Sequence, residues 1–277
     1  MGFATTRQEP ASSSARVPGR LAARFADLAV SAYCWGGLSL NTAFFLGLAH
    51  LSRPLRGNAE WGSLFAAWAR ASLIWGGFDV RVSGLERVAA PAVLAANHQS
   101  VFDVALLAAL VPPPVAFVAR GDLTRLPIIG SVLRHGQHVI LDRDSTARAV
   151  LDQIAERVTR GARVVFFAEG ARSNDGTVGA FRAGAFHAAW RAECALVPVA
   201  LAGTRCAIAK GSRRIRPSRL AVSFLDPVWL TREEATSRTF RRSISDRVAA
   251  AVSRMEPQTG PRLPVGQRGP APDRPTS

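Results

Sequence analysis

The stretch Asn97-His98-Gln99-Ser100-Val101-Phe102-Asp103 sets a histidine five residues ahead of a carboxylate. A carboxylate that takes the proton of one imidazole nitrogen leaves the other nitrogen as a general base. The alternative is a plain helix start, with His98 as cap and Asp103 complementing the helix dipole. Spacing alone leaves both open. A second cluster, Phe166-Phe167-Ala168-Glu169-Gly170-Ala171-Arg172-Ser173, puts an acid and an arginine three apart, ahead of a glycine-containing loop at 174–179. Such a loop offers a phosphate backbone N–H groups and a guanidinium fork, with Glu169 orienting a hydroxyl or the arginine. Its bland counterpart is a surface ion pair at a turn, worth little. A third element, Gly136 to Arg143, ends in the pair Asp142-Arg143. Arg143 is a second phosphate candidate, though singly it reads as one of many solvated arginines.

Strands and helices must hold these clusters together. From Asp79 onward short β-rich runs alternate with helical ones, the signature of an α/β domain. Strands are predicted at 79–83, 92–96, 115–119, 138–141, 163–167, 196–202 and 219–225. Helices are predicted at 102–110, at 145–160 with Ser145 as N-cap, at 183–193, and at 231–255, where Thr231 and Glu234 form a capping-box pattern. The first two clusters each follow a strand, where α/β folds present ligands. The expected architecture is a central mixed, largely parallel sheet flanked by helices. It is preceded by an N-terminal two-helix membrane-associated segment.

That segment covers residues 23–78. Leu28 to Leu51 has no Asp, Glu, Lys or Arg, about the length needed to cross a hydrocarbon core, which makes it a membrane-helix candidate. Ser31, Ser39, Asn41, Thr42 and three glycines interrupt it, as in a buried helical hairpin. The stretch 61–78 carries Arg70 and three tryptophans and resembles an interfacial helix. Arginines on both sides of the first run (Arg7, Arg16, Arg20 and Arg24 before it, Arg53 and Arg56 after) put both ends on the cytoplasmic side. A two-helix anchor dipping into one leaflet satisfies this best. The expected location is the inner membrane, with the α/β domain (79–256) facing the cytoplasm. A leader of nearly thirty residues before the run, and no small-x-small site closing it, argue against a cleaved signal peptide. Residues 1–22 and 257–277 read as disordered tails.

The 277 residues carry a formal charge of +15, and Lys210 is the sole lysine among 35 basic residues. The chain therefore seeks anionic partners: phosphorylated ligands, anionic lipid or nucleic acid. Aromatics are not interleaved with the basic run 205–219 as stacking on bases requires, so nucleic acid is not expected. That run reads first as a solvated face and otherwise as a dock for anionic lipid, an acidic carrier protein or the phosphates of CoA. Cys34, Cys194 and Cys206 are odd in number and widely spaced, which argues against a disulfide framework or a cysteine zinc site. The remaining histidines suggest no metal site by spacing, and no metal or cofactor is expected. No Gly-x-Ser-x-Gly elbow marks a serine hydrolase.

Taken in order with Val197-Pro198-Val199, the three clusters resemble the glycerolipid acyltransferase family, in particular the 1-acylglycerol-3-phosphate acyltransferases, over roughly residues 79–225. The family's Asn-His-x-x-x-x-Asp block is matched by Asn97, His98 and Asp103, and its Asp-Arg pair by Asp142 and Arg143. Its Phe-Pro-Glu-Gly-Thr-Arg-Ser block is matched by Phe167 to Ser173, followed by Phe181 to Phe186. Ala168 stands where the family usually has proline and Ala171 where it has threonine. The resemblance implies direct acyl transfer without an acyl-enzyme. His98, oriented by Asp103, deprotonates a lysolipid hydroxyl, which attacks the thioester of acyl-CoA or acyl carrier protein. Arg143, Glu169, Gly170, Arg172 and Ser173 are implied to hold the acceptor, with Asn97 and Asp142 in support. The implied partners are a lysolipid acceptor, an acyl thioester donor and an anionic membrane surface. The implied product is phosphatidic acid. Competing expectations are transfer to another acceptor such as a lyso-ornithine lipid, and a non-catalytic basic membrane-binding module.

Overall fold

The computed structural model describes residues 17–51, 58–126, 130, 132, 133, 136, 138–142 and 144–261. Among these, eight strands form one sheet: β1 (Asp79–Ser83), β2 (Ala92–Ala96), β3 (Val115–Arg120), β4 (Val139–Leu141), β5 (Arg163–Phe167), β6 (Ala195–Ala202), β7 (Ser218–Phe224) and β8 (Gly260–Pro261). The order across the sheet is β1-β7-β6-β2-β5-β3-β4, with β8 on the β7 edge. All neighbours are parallel except β6 with β7 and β7 with β8. The mixed, largely parallel sheet expected from the sequence is therefore present. Every residue of β2 is buried, and β6 is buried from Leu196 on, as continuous apolar runs covered on both faces require.

The helices are α1 (Val17–Leu51), α2 (Asn58–Trp75), α3 (Phe102–Leu110), α4 (Ala147–Thr159), α5 (Gly184–Arg191), α6 (Thr204–Ala207), α7 (Arg232–Thr236) and α8 (Arg238–Met255). One apolar cluster joins α1, α2 and α3 to one sheet face, through Cys34, Leu38, Ala69, Leu73, Leu106, Leu107, Leu94 and Val199 among others. The other joins α4, α5 and α8 to the opposite face, with Ile154, Phe186, Ile244 and Val248 at its centre.

Two helix readings change in substance, while other element ends shift by one or two residues. Thr146, not Ser145, caps α4, its hydroxyl accepting the N–H of Ala149 at 3.3 Å. The single helix expected over 231–255 is two. The Thr231–Glu234 capping box starts α7, and Ser237 turns extended and caps α8 by accepting the N–H of Phe240. Of the expected tails, residues 1–16 and 262–277 lie outside the described residues, whereas Val17 starts α1 and Gly260–Pro261 pair with β7.

No helix of the described residues is long and apolar enough to cross a membrane. The polar residues that interrupt this run are its joints. Asn41 Nδ2 donates to the carbonyl of Trp68 (3.1 Å) and to Ser72 Oγ (2.9 Å), and Trp68 Nε1 donates to Thr42 Oγ1 (3.1 Å). Ser31 Oγ accepts the N–H of Ile215 at 3.0 Å. Arg70, odd in an apolar stretch, donates to the Ala109 carbonyl at the end of α3 (3.1 Å). Yet Phe25, Leu28, Val30, Tyr33, Trp35, Leu40, Phe44 and Leu51 of α1 stay exposed, which leaves an apolar surface along this helix.

Candidate active site

The site lies at the carboxyl ends of β2 and β5, adjacent parallel strands whose last residues, Ala96 and Phe167, pair directly. Chain direction thus brings the two clusters side by side. After β2, Asn97 anchors the turn. It is fully buried and forms a two-way amide pair with Leu201 of β6, Oδ1 accepting its N–H (2.7 Å) and Nδ2 donating to its carbonyl (3.0 Å).

His98 Nδ1 lies 2.7 Å from Asp103 Oδ2. The same oxygen accepts the N–H groups of Gln99 (2.7 Å) and Ser100 (2.8 Å). The carboxylate is fully buried, whereas the imidazole is 17% exposed. An acceptor-only carboxylate places the proton on Nδ1. Nε2 then carries the free lone pair and has no partner among the described residues. Phe167 stacks on the ring at a centroid distance of 3.9 Å and 17° between planes. Position, tautomer and ring orientation are all set before any substrate arrives.

Glu169 has a different task from the one its spacing suggested. Its Oε1 accepts the N–H of His98 (2.8 Å) and its Oε2 the N–H of Gly179 (2.9 Å), so it ties the histidine turn to the far end of the glycine-containing loop. Gly170 follows at φ +77°, and a side chain there would run into Arg182. Ser173 donates its N–H to the His98 carbonyl (2.8 Å). Its hydroxyl donates to Asp175 Oδ1 (3.0 Å) and accepts the N–H of Gly176 (2.9 Å). Asp175 also takes the hydroxyl and N–H of Thr177, and these bonds, Thr177's first, hold its carboxyl near 2. The guanidinium of half-buried Arg172 bonds to no described residue.

The structure thus joins Asn97, His98, Asp103, Glu169, Gly170, Arg172 and Ser173. It does not bring Asp142 to them: that residue follows β4, three strands from β2 and about 14 Å across the sheet. Arg143 lies outside the described residues. Ala168, in the family's proline position, donates its N–H to the Ala96 carbonyl (2.8 Å), a bond proline cannot make, so the loop stays pinned. Two residues of the basic run 205–219, which the sequence reads first as a solvated face, stand beside these loops. Lys210 Nζ donates to the Arg172 carbonyl (3.1 Å), and Arg205 Cδ packs beside Gly176. The only hint was that the chain's sole lysine sits in this run.

A buried carboxylate orients a general-base histidine at the strand ends of an α/β fold, and residues 79–202, a little under half of the chain, match the family described as Acyltransferase. Over this stretch the chain is similar to proteins named 1-acyl-sn-glycerol-3-phosphate acyltransferase. It is similar to the protein of that name from Limnanthes douglasii, 29% identical over 171 residues, 60% of this chain and 61% of that one. A chloroplast protein so named from Arabidopsis thaliana is 35% identical over 153 residues, 53% of this chain and 42% of that one. The match thus spans about three fifths or less of these relatives' length. In fold it is similar to the crystal structure of the 1-acyl-sn-glycerophosphate acyltransferase from Thermotoga maritima (TM-score 0.70, 24% identity, 84% of this chain and 97% of that one).

Proposed function

We propose that this chain transfers an acyl group from an acyl thioester, acyl-CoA or acyl carrier protein, to the free hydroxyl of 1-acylglycerol-3-phosphate, giving phosphatidic acid. The observation that carries the reading is the 2.7 Å contact of His98 Nδ1 with the buried Asp103, which dedicates Nε2 to proton transfer. The hydroxyl O–H gives its proton to Nε2 as the oxygen forms a bond to the thioester carbonyl carbon. The C–S bond then breaks, and the imidazolium returns the proton to the leaving sulfur. Asp103 stabilises the transient imidazolium, and no acyl-enzyme is required. Holding both substrates at one base supplies the rest, since oriented reactants lose the entropy of encounter beforehand. Arg172 meets the acceptor's phosphate.

The exposed apolar surface of α1, beside the basic run 205–216, supports docking on an anionic membrane where both lipids reside. The test is transfer of labelled acyl groups from acyl-CoA and from acyl carrier protein to 1-acylglycerol-3-phosphate, beside lyso-ornithine lipid and monoacylglycerol. Label in phosphatidic acid at the highest rate supports the reading. Preference for a phosphate-free acceptor overturns the acceptor assignment.

A further inference from the structure

Resting on that acceptor reading, we propose that Arg205 and Lys210 bind the phosphomonoester of the lysolipid, so that the segment 204–216 selects the acceptor head group together with Arg172. Three loops are laced together around His98. Gln99 Nε2 donates to the Gly176 carbonyl (3.1 Å), Ser100 Oγ donates to the Ile208 carbonyl (2.9 Å), and Lys210 Nζ reaches the Arg172 carbonyl (3.1 Å). Arg205 Cδ lies 3.4 Å from where a Cβ on Gly176 would stand. Arg172, Arg205 and Lys210 therefore gather on the loops beside the base.

The carboxylates within these loops are engaged elsewhere. Asp103 serves His98, Glu169 accepts two backbone N–H groups, and Asp175 is held by Ser173 and Thr177. Among the described residues none of these three cations has a carboxylate partner, and a dianionic phosphate supplies an anionic one. Residue choice points the same way. In a chain that otherwise uses arginine for every basic position, the one lysine stands here, a compact ammonium suited to phosphate.

The segment is also fixed to α1. Trp35 Nε1 donates to the Arg213 carbonyl (2.7 Å), Ser31 accepts from Ile215, and Arg216 pairs with Asp27 at 3.3 Å. A lysolipid held by its phosphate at Lys210 therefore has the apolar surface of α1 nearby for its chain.

The test uses the full chain and water-soluble short-chain probes at fixed ionic strength. Calorimetry compares 1-hexanoylglycerol-3-phosphate with 1-hexanoylglycerol for the parent, Arg205→Gln, Lys210→Gln and the double variant. Arg160→Gln, at the far end of α4 just before β5 begins, controls for net charge. The parent binds the phosphorylated probe more tightly. Each variant weakens that binding about tenfold, the size expected for a charged hydrogen bond, and leaves the neutral probe unchanged. In turnover the loss falls on KM, with kcat within about twofold. Phosphate preference that survives the double substitution, or that Arg160→Gln reduces equally, overturns the inference. Turnover of the parent on 1-acylglycerol-3-phosphate is read separately. Variant-sensitive phosphate binding without that turnover removes the acceptor reading and leaves the phosphate site standing.

Discussion

His98 Nδ1 stands 2.7 Å from Asp103 Oδ2, an oxygen that also receives two backbone N–H groups from the turn between them. One buried atom therefore builds the turn and orients the base. Asp103→Asn keeps the shape, because its amide oxygen can stand in place of Oδ2 and accept the same N–H groups, but it removes the negative charge that stabilises the imidazolium during proton transfer. The expected result is a fall in kcat of about a hundredfold or more with KM little changed. Steady-state kinetics on a variant shown by circular dichroism to be folded will check it.

Glu169→Gln tests the second tie. A glutamine has one acceptor oxygen, so the N–H of either His98 or Gly179 loses its partner and faces an NH2 group. The expected cost is about 1–3 kcal/mol, with faster amide exchange at both residues. Thermal unfolding and hydrogen exchange measure it. An unchanged melting temperature and unchanged exchange contradict the positioning role.

His138 predicts the acid limit of the fold. Its Nδ1 accepts the N–H of Phe117 (3.0 Å) among Phe65 and Phe117. Burial first, and the charge of Arg157 second, lower its pKa from 6.5 to about 4. Between those values the unfolded chain binds the proton and the folded chain does not. This contribution is therefore complete above about pH 6.5 and is lost as pH falls toward 4, by about 3 kcal/mol. Urea unfolding at several pH values, with the His138 imidazole followed by NMR, checks this. Titration of His138 near 6.5 in the folded protein contradicts it.

The exposed side chains of α1 predict membrane association. Replacing Phe25, Leu40 and Phe44 together by serine should cut cosedimentation with anionic vesicles at least about tenfold, with little change in stability, because these side chains are 65–70% exposed. Unchanged cosedimentation places the docking surface elsewhere.

What the sequence made legible follows from how local each signal is. Buried parallel strands read as short apolar runs, so β2 and β5 emerge at their observed bounds. His98 and Asp103 are visible because one turn holds both. Glu169 was misread because its partners, the N–H groups of His98 and Gly179, are backbone groups with no sequence signature. Asp142 looked like a neighbour because β4 shares the carboxyl edge, but strand order, which spacing does not encode, sets it three strands away. Arg205 and Lys210 reach the site only through the antiparallel β6–β7 excursion, and no local pattern reports that. The 28–51 run showed its apolarity and hid its packing, because the partners of Asn41 and Ser31 lie in α2 and beyond Lys210.

The most direct measurement is the initial rate of acyl transfer from acyl-CoA to 1-acylglycerol-3-phosphate for the parent and for His98→Ala, at equal folded protein and saturating substrates. If Nε2 of His98 is the base, the parent makes phosphatidic acid and the variant loses about a hundredfold to ten-thousandfold in kcat while still binding acceptor. A His98→Ala variant that keeps more than about a tenth of the parent's rate contradicts the account at its centre.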